Sequence, residues 1–301
     1  MAIDGIVLVD KPAGVTSAEV VRRIRHRLGR PRVGHLGTLD PFATGLLPIM
    51  IGEATKLASL LHDGDKSYEG LIQLGVQTDT LDPTGTVEST APVPRLEPDR
   101  IASVTAQFTG EIEQVPPIYS ALKRGGVRLY EMARRGEDVE APAARTVTIK
   151  SLELAPAQDS LMRFDGLMRF EVVCSTGTYV RSLARDIGIA LGTVGSLHSL
   201  RRTRIGTFSI DDAAPFDELM TVLDDGVTLN FIGLRESIPA IAECEVGADE
   251  AARIRNGDAR VLDGRIPSGA GVFKVVAGGR LIALAEPVSR VTASLVRVFV
   301  A

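Results

Sequence analysis

Residues 34–48 read GHLGTLDPFATGLLP, one histidine (His35) and one aspartate (Asp40) set among three glycines and two prolines. Glycine lets a backbone approach a neighbour closely, and Pro41 biases Asp40 toward an extended conformation. A loop of that composition between two apolar elements can present a reacting side chain from a rigid scaffold. It can equally be a structured turn in which Asp40 bonds its own backbone. Upstream, residues 5–10 (GIVLVD) read as a buried strand. Thr16 with Glu19 then forms a capping box for a helix whose apolar side is Val20, Val21, Ile24 and Leu28, stopped by Gly29 and Pro31. Downstream, residues 46–51 are strand-like and residues 53–61 (EATKLASLL) an amphipathic helix.

Further along, residues 67–77 (SYEGLIQLGVQ) suit a strand with Tyr68 near its start, and residues 79–85 (DTLDPTG) a loop. Pro98 opens a helical run to Phe108. Residues 111–136, broken by Pro116–Pro117 and Gly125–Gly126, read as a basic, mobile excursion closed by a short helix from about Val127 to Arg135. LMRF occurs at 161–164 and 167–170, and the Asp165–Gly166 pair between the copies is a hairpin signal, its second arm continuing as a strand to Cys174. Gly177 leads into a helix with Val180, Leu183, Ala184, Ile187 and Leu191 on its apolar side and Tyr179 and Arg181 in its first turn, off that side. Strands and helices mix without a βαβ repeat, so the expected class is α+β with a mainly antiparallel, mixed sheet and flanking helices. Residues 211–250 form an acidic connector with a helix at about 217–223, and residues 240–301, with short strands at 271–276 and 281–285, a small β-rich second domain. The expected catalytic domain is 1–235.

With 45% hydrophobic and 24% charged residues and no run of 18 apolar residues, a membrane span is not expected. The N-terminus lacks signal-peptide features, and two distant cysteines make no disulfide framework, so the expected compartment is the cytoplasm. The formal net charge of −4 is unevenly spread: residues 211–250 hold 11 acids against one base. Arginines crowd residues 22–32; Lys123, Arg124, Arg128, Arg134 and Arg135 form a second basic group, and Arg201, Arg202 and Arg204 a third. Brought to one face, these groups make a footprint for phosphates; separately, they only solvate helix faces.

Four scattered histidines without paired spacing argue against a zinc site, and no G-x-S-x-G elbow is present, although residue types alone do not exclude a Ser–His–Asp hydrolase. What remains is Asp40, the tyrosines Tyr68 and Tyr179, and Arg181. A carboxylate serves as a nucleophile when a nearby cation keeps it ionised and water is excluded. Arg181 is such a cation, or it pairs with Asp186 on its own helix; the tyrosines line the site, or they are core.

The stretch GHLGTLDPFATGLLPI resembles the signature of the bacterial tRNA pseudouridine synthase B (TruB) family, GHTGxLDPxATGxLP. DKPAGVTS at 10–17, GEATK at 52–56, YSALKRGGVRLYEMARRG at 119–136 and GTYVRSLARDIG at 177–188 match that family in order, as does LHSLRRTRIGTF at 197–208. The likeness covers roughly residues 5–212, and the tail is more weakly similar to a PUA-like RNA-binding module. The resemblance implies the pseudouridine synthase fold and an isomerase acting on the T-loop uridine at tRNA position 55, with no cofactor or metal. It implies Asp40 as the catalytic aspartate, Tyr68 stacking on the base and taking the C5 proton, and Arg181 pairing with Asp40, with Tyr179 beside it. It further implies His35 entering the T-loop, Leu200 lining the uracil pocket and Lys11 bordering the site. Residues of about 111–147 would be an RNA-binding loop, with Lys123, Arg124, Arg128 and Arg202 contacting the T-loop and T-stem. The protein would act as a monomer without an obligate protein partner. Leu36 and Thr38 depart from the usual threonine and alanine, and a hydrogen bond from position 36 is lost. The alternative is a non-catalytic tRNA-binding or tRNA-folding protein on the same scaffold.

Overall fold

A computed structural model describes residues 4–120, 122–137, 139–157, 166–224 and 231–300. The chain begins with β1 (Gly5–Lys11), buried along almost its whole length, and α1 (Ser17–Arg27), whose Val20 and Ile24 are fully buried. Thr16 caps α1 by accepting from the Glu19 N–H, but the reciprocal half of the capping box does not form. The Glu19 carboxylate instead takes Arg22 and Arg23. β2 (Val33–His35) and β3 (Thr44–Ile51) flank the Asp40 loop. The helix expected at 53–61 is split into a 3-10 helix (Gly52–Leu57) and one turn of α2 (Ala58–His62). The strand expected at 67–77 breaks at Gly75 into β4 (Lys66–Leu74) and β5 (Val76–Thr78), which pairs with β6 (Val87–Thr90).

After α3 (Pro98–Gln107), β7 (Gly110–Gln114) makes the first residues of the expected excursion an edge strand of the main sheet. Beyond it stand the hairpin β8 (Lys123–Arg124) and β9 (Val127–Arg128) and the helix α4 (Leu129–Arg134). β10 (Arg145–Pro156) pairs antiparallel with β11 (Leu167–Cys174). The first LMRF copy and Asp165 lie outside the described residues. α5 (Val180–Leu191) buries the expected apolar side, and β12 (Gly195–Ile205), β13 (Phe208–Ser209), β14 (Ala214–Pro215) and α6 (Phe216–Asp224) follow.

The ten-stranded sheet runs β14-β1-β3-β12-β4-β11-β10-β7, with β2 on β3 and β13 on β12. Only β1–β14 and β3–β12 are parallel, so the expected mainly antiparallel mixed sheet is the observed one. β12 is the hinge of the arrangement: it touches β4 along its length and β3 at Arg201 and Arg202. That contact dictates two glycines. A Cβ on Gly45, at φ +101°, would sit 2.3 Å from the Arg202 carbonyl oxygen, and one on Gly70 would sit 2.2 Å from that of Ser199. Leu36, one of the two departures from the family signature, is buried in an apolar cluster with Ile6, Leu8 and Leu46.

The tail forms a four-stranded sheet of β15 (Glu243–Glu245), β16 (Phe273–Ala277), β17 (Arg280–Pro287) and β18 (Ala293–Val298) around its own apolar core. It also carries α7 (Ala248–Arg255), absent from the sequence expectation. Leu57 packs with Ile238, Leu281, Leu284 and Phe299, and Lys56 donates to the Val298 carbonyl at 2.8 Å, joining the tail to the 3-10 helix.

Candidate active site

Asp40 is fixed by its neighbours' backbone. Ser17 on α1 holds both backbone groups of Leu39, donating to its carbonyl at 3.1 Å and accepting its N–H at 2.9 Å. The Gly14 N–H donates to the Pro41 carbonyl at 2.8 Å, and the Asp40 carbonyl accepts from the Ala43 N–H at 3.1 Å. The backbone is thus the structured turn that the composition allows. The Asp40 side chain does not bond that backbone: its Oδ2 lies 2.9 Å from Nε of Arg181, 141 residues away.

Arg181 sits in the first turn of α5 but is buried, not on a solvent face. Asp186 pairs with Arg185 instead, at 2.8 Å. The Arg181 guanidinium donates to Asp40, to the Thr80 carbonyl at 3.0 Å and to the Tyr119 carbonyl at 2.9 Å, and it lies 3.7 Å from Oδ2 of Asp82. Asp82 was missed in the sequence. A signal was there: TLDP occurs twice, at 38–41 and 80–83, and both aspartates converge on Arg181. Asp82 is 5% exposed and accepts from Thr80 Oγ1 at 2.8 Å and from the Thr84 N–H at 2.9 Å. Leu81 before it holds φ +60°, a left-handed conformation that a leucine adopts only under tertiary constraint.

Burial pushes the Asp40 carboxyl above its ordinary range, and the Asp82 charge adds to that; Arg181 and, more weakly, Lys11 oppose it. Lys11, which the resemblance puts at the border of the site, is completely buried, donating to the carbonyls of Pro12, Val15 and, at 3.4 Å, Pro41. Burial lowers its pKa to about 8, against the pull of Asp40.

Tyr68 on β4 stands directly across from Arg202 on β12; burial raises the Tyr68 pKa while the neighbouring Arg202 charge restrains it. Arg202 was expected on RNA phosphates but is 1% exposed, because its position in β12 points under the Asp40 loop. Of the third basic group, Arg204 alone is exposed, Arg201 being bound to Asp10 at 2.7 Å. Leu200 is buried beside Gly70, its cross-strand partner. His35 ends β2, half-buried, with Nδ1 lacking a hydrogen-bond partner and its pKa lowered first by burial and then by Arg202. Tyr179 is the N-cap residue of α5 rather than a residue of its first turn; its N–H donates to Gln114 and its ring packs under Arg145 at 4.5 Å. Lys123, Arg124 and Arg128 are exposed on the β8–β9 hairpin.

The TruB family pseudouridylate synthase N-terminal domain matches residues 25–180, which hold both TLDP segments and the Asp40 loop. The chain belongs to the TruB family. The tRNA pseudouridylate synthase B C-terminal domain matches residues 181–229. Among TruB relatives, the tRNA pseudouridine synthase B of Aromatoleum aromaticum is 46% identical over 94% of this chain and 89% of its own length. That of Mycobacterium sp. (strain KMS) is 47% identical over 79% of this chain and 81% of its own. The fold also resembles a chain in the structure of an H/ACA RNP bound to a substrate RNA containing 2'-deoxyuridine. The TM-score is 0.70 at 22% identity, over 99% of this chain and 85% of that one.

Proposed function

We propose that this TruB-family protein is a tRNA pseudouridine synthase that isomerises the T-loop uridine at tRNA position 55, with Asp40 as its nucleophile. The observation that carries the reading is the Asp40–Arg181 pair inside a loop braced from α1, β1 and β12. Names of relatives spanning most of the chain support the reaction class and its tRNA substrate. The isomerisation exchanges the C1′–N1 bond for a C1′–C5 bond. A proton leaves C5 and one is gained at N1, so oxidation state is unchanged overall.

Asp40 attacks the nucleoside while Arg181 and Lys11 favour its ionised form against the effect of burial. A uridine in a folded loop has to leave the stack first, and unstacking costs a few kcal/mol. Stacking on Tyr68, worth about 1–3 kcal/mol for a base on an aromatic ring, offsets part of that. Tyr68 also takes the C5 proton, Leu200 lines the uracil pocket, and His35 fills the space left in the T-loop. Lys123, Arg124 and Arg128 hold T-stem phosphates, positioning rather than reading sequence. Tyr179 acts beside Arg181, shaping the entrance.

In this reading residues 1–235 are the catalytic domain, with 111–147 closing over RNA, and residues 240–301 a PUA-like RNA-binding module. The protein works as a monomer in the cytoplasm, where tRNA is modified. Among the described residues no helix is long and apolar enough to cross a membrane. Release of tritium from tRNA labelled at uridine C5 tests the reading. Wild type releases it and Asp40→Asn does not. Full release by Asp40→Asn would remove Asp40 from the chemistry, and tRNA binding without pseudouridine in any transcript would favour a non-catalytic RNA-folding role.

A further inference from the structure

The end of α5 that holds Arg181 carries hydrogen-bond donors and positive charge without matching acceptors. Backbone dipoles make a helix N-terminus attractive to anions, and acids commonly occupy its first turn. α5 has no acid in that turn, and Tyr179 at its N-cap position supplies no capping oxygen. Among the described residues the N–H groups of Val180, Arg181 and Ser182 find no acceptor. Of the guanidiniums bonded around this end, Arg181 has Asp40 and Asp82 as counter-charges and Arg185 has Asp186. Arg145 has no carboxylate among the described residues. It lies 4.5 Å over the Tyr179 ring and donates to the Gly177 carbonyl, while its Nε is buried without a partner. Directly across from it in the β7–β10 pairing, Gln114 is 0% exposed. Its Oε1 accepts the Tyr179 N–H at 2.7 Å, which fixes the amide's orientation and leaves Nε2 buried with no acceptor. The preceding residue, Glu113, is exposed and accepts from Thr146 Oγ1 instead. A cation at the positive end of a helix, beside an orphaned donor, is unfavourable until an anion completes it.

We propose that Arg145, with Gln114 and the N-terminus of α5, is a binding site for a phosphodiester of the substrate RNA, one of the two that flank the target nucleotide. The inference rests on the synthase reading above and names a contact of its substrate strand. Tyr179 and Arg181 are two residues apart, so the site lies within one helical turn, about 5.4 Å of rise, of the group that holds Asp40. A phosphate that close to the reacting base belongs to its own nucleotide or to the next. The turn is exposed at Gly177 and half-buried at Tyr179, so a strand can reach it. A guanidinium presents its N–H donors as a planar fork that suits phosphate oxygens, and stacking on Tyr179 holds that fork in place. The contact positions the strand and reads no base.

The test measures binding of a T-arm hairpin RNA by the full-length protein in an Asp40→Asn background, with a neutral methylphosphonate replacing each flanking phosphate in turn. Arg145→Met is expected to weaken binding of the unmodified RNA about tenfold, the scale of one charged hydrogen bond, and to lower the salt slope by about one. Arg145→Lys recovers part of that loss. With one of the two neutral linkages in place, the Arg145→Met loss disappears. Gln114→Glu supplies the missing anion from within the protein and keeps an acceptor for the Tyr179 N–H. Free of RNA it should melt about 2 °C above wild type, and its RNA binding should weaken. Should Arg145→Met lose its cooperative melting transition, Arg145→Lys and Gln114→Glu carry the test. The same Arg145→Met loss on all three RNAs, an unchanged affinity and salt slope, or a Gln114→Glu that melts no higher than wild type would overturn the proposal. If wild type makes no pseudouridine, the synthase reading fails instead, and the RNA-free melting of Gln114→Glu still reports on the unpaired Arg145 charge.

Discussion

Replacing Arg181 by methionine strands two carboxylates at once. At 2.9 Å from Asp40 and 3.7 Å from Asp82, the guanidinium attracts them by about 6 and about 4.5 kcal/mol at an effective dielectric constant of 20, before desolvation. Asp40, with a third of its side chain exposed, recovers part of its loss from water; Asp82, at 6%, does not. Breaking a buried pair by removing one partner costs about 3–5 kcal/mol, and Asp82 places this site in that class. Urea unfolding should therefore show Arg181→Met less stable by about that amount. Arg181→Met/Asp82→Asn should regain most of it, because the stranded charge is removed as well. Single-turnover isomerisation should stay at least about 100-fold slow in both variants, since Asp40 lacks its counter-charge in each. A double variant no more stable than the single one, or an Arg181→Met loss below about 1 kcal/mol, would refute the convergence of both aspartates on Arg181.

Three further outcomes follow from the same geometry. Lys11, with its pKa lowered to about 8, should lose its charge as pH rises through that value and so raise the cost of ionising Asp40. The single-turnover rate should fall on an alkaline limb near that pH, and Lys11→Met should be slow and lack the limb; an identical limb in both would contradict this. Because the folded-state pKa of Asp40 is raised, its protonated form suits the fold better than its ionised form. Asp40→Asn should therefore be more stable than wild type at pH 7, with the gap closing as pH falls toward the unfolded carboxyl value of about 4. A melting comparison with the opposite sign would refute it. Alanine at Lys123 and Arg124 should weaken tRNA binding and flatten its salt dependence while leaving the single-turnover rate at saturating enzyme intact; a changed rate would place these residues nearer the chemistry.

Composition and periodicity carried most of the elements, because apolar spacing reports which face an element buries. They could not report how far a loop residue's partner lies along the chain. The pairing of Asp40 with Arg181 was reached through the family resemblance, and the structure brings the two together. Arg202 was misread because an arginine in sequence looks like surface, and nothing local says that β12 carries it inward; the burial of Lys11 in β1 was illegible for the same reason. Asp82 was hidden by the opposite habit. DTLDPTG has the composition of an exposed turn, and only its repetition of TLDP set it apart. The 3-10 turn at Gly52–Leu57 kept its apolar side while changing its hydrogen bonding, a distinction that hydrophobic spacing does not resolve.

The central claim is that this chain makes pseudouridine in the T-loop of tRNA with Asp40 as nucleophile. Mapping pseudouridine at single-nucleotide resolution in a tRNA transcript incubated with wild type and with Asp40→Asn tests it most directly. The account predicts modification at position 55 with wild type and none with Asp40→Asn. Modification by Asp40→Asn, or none by wild type, would contradict it.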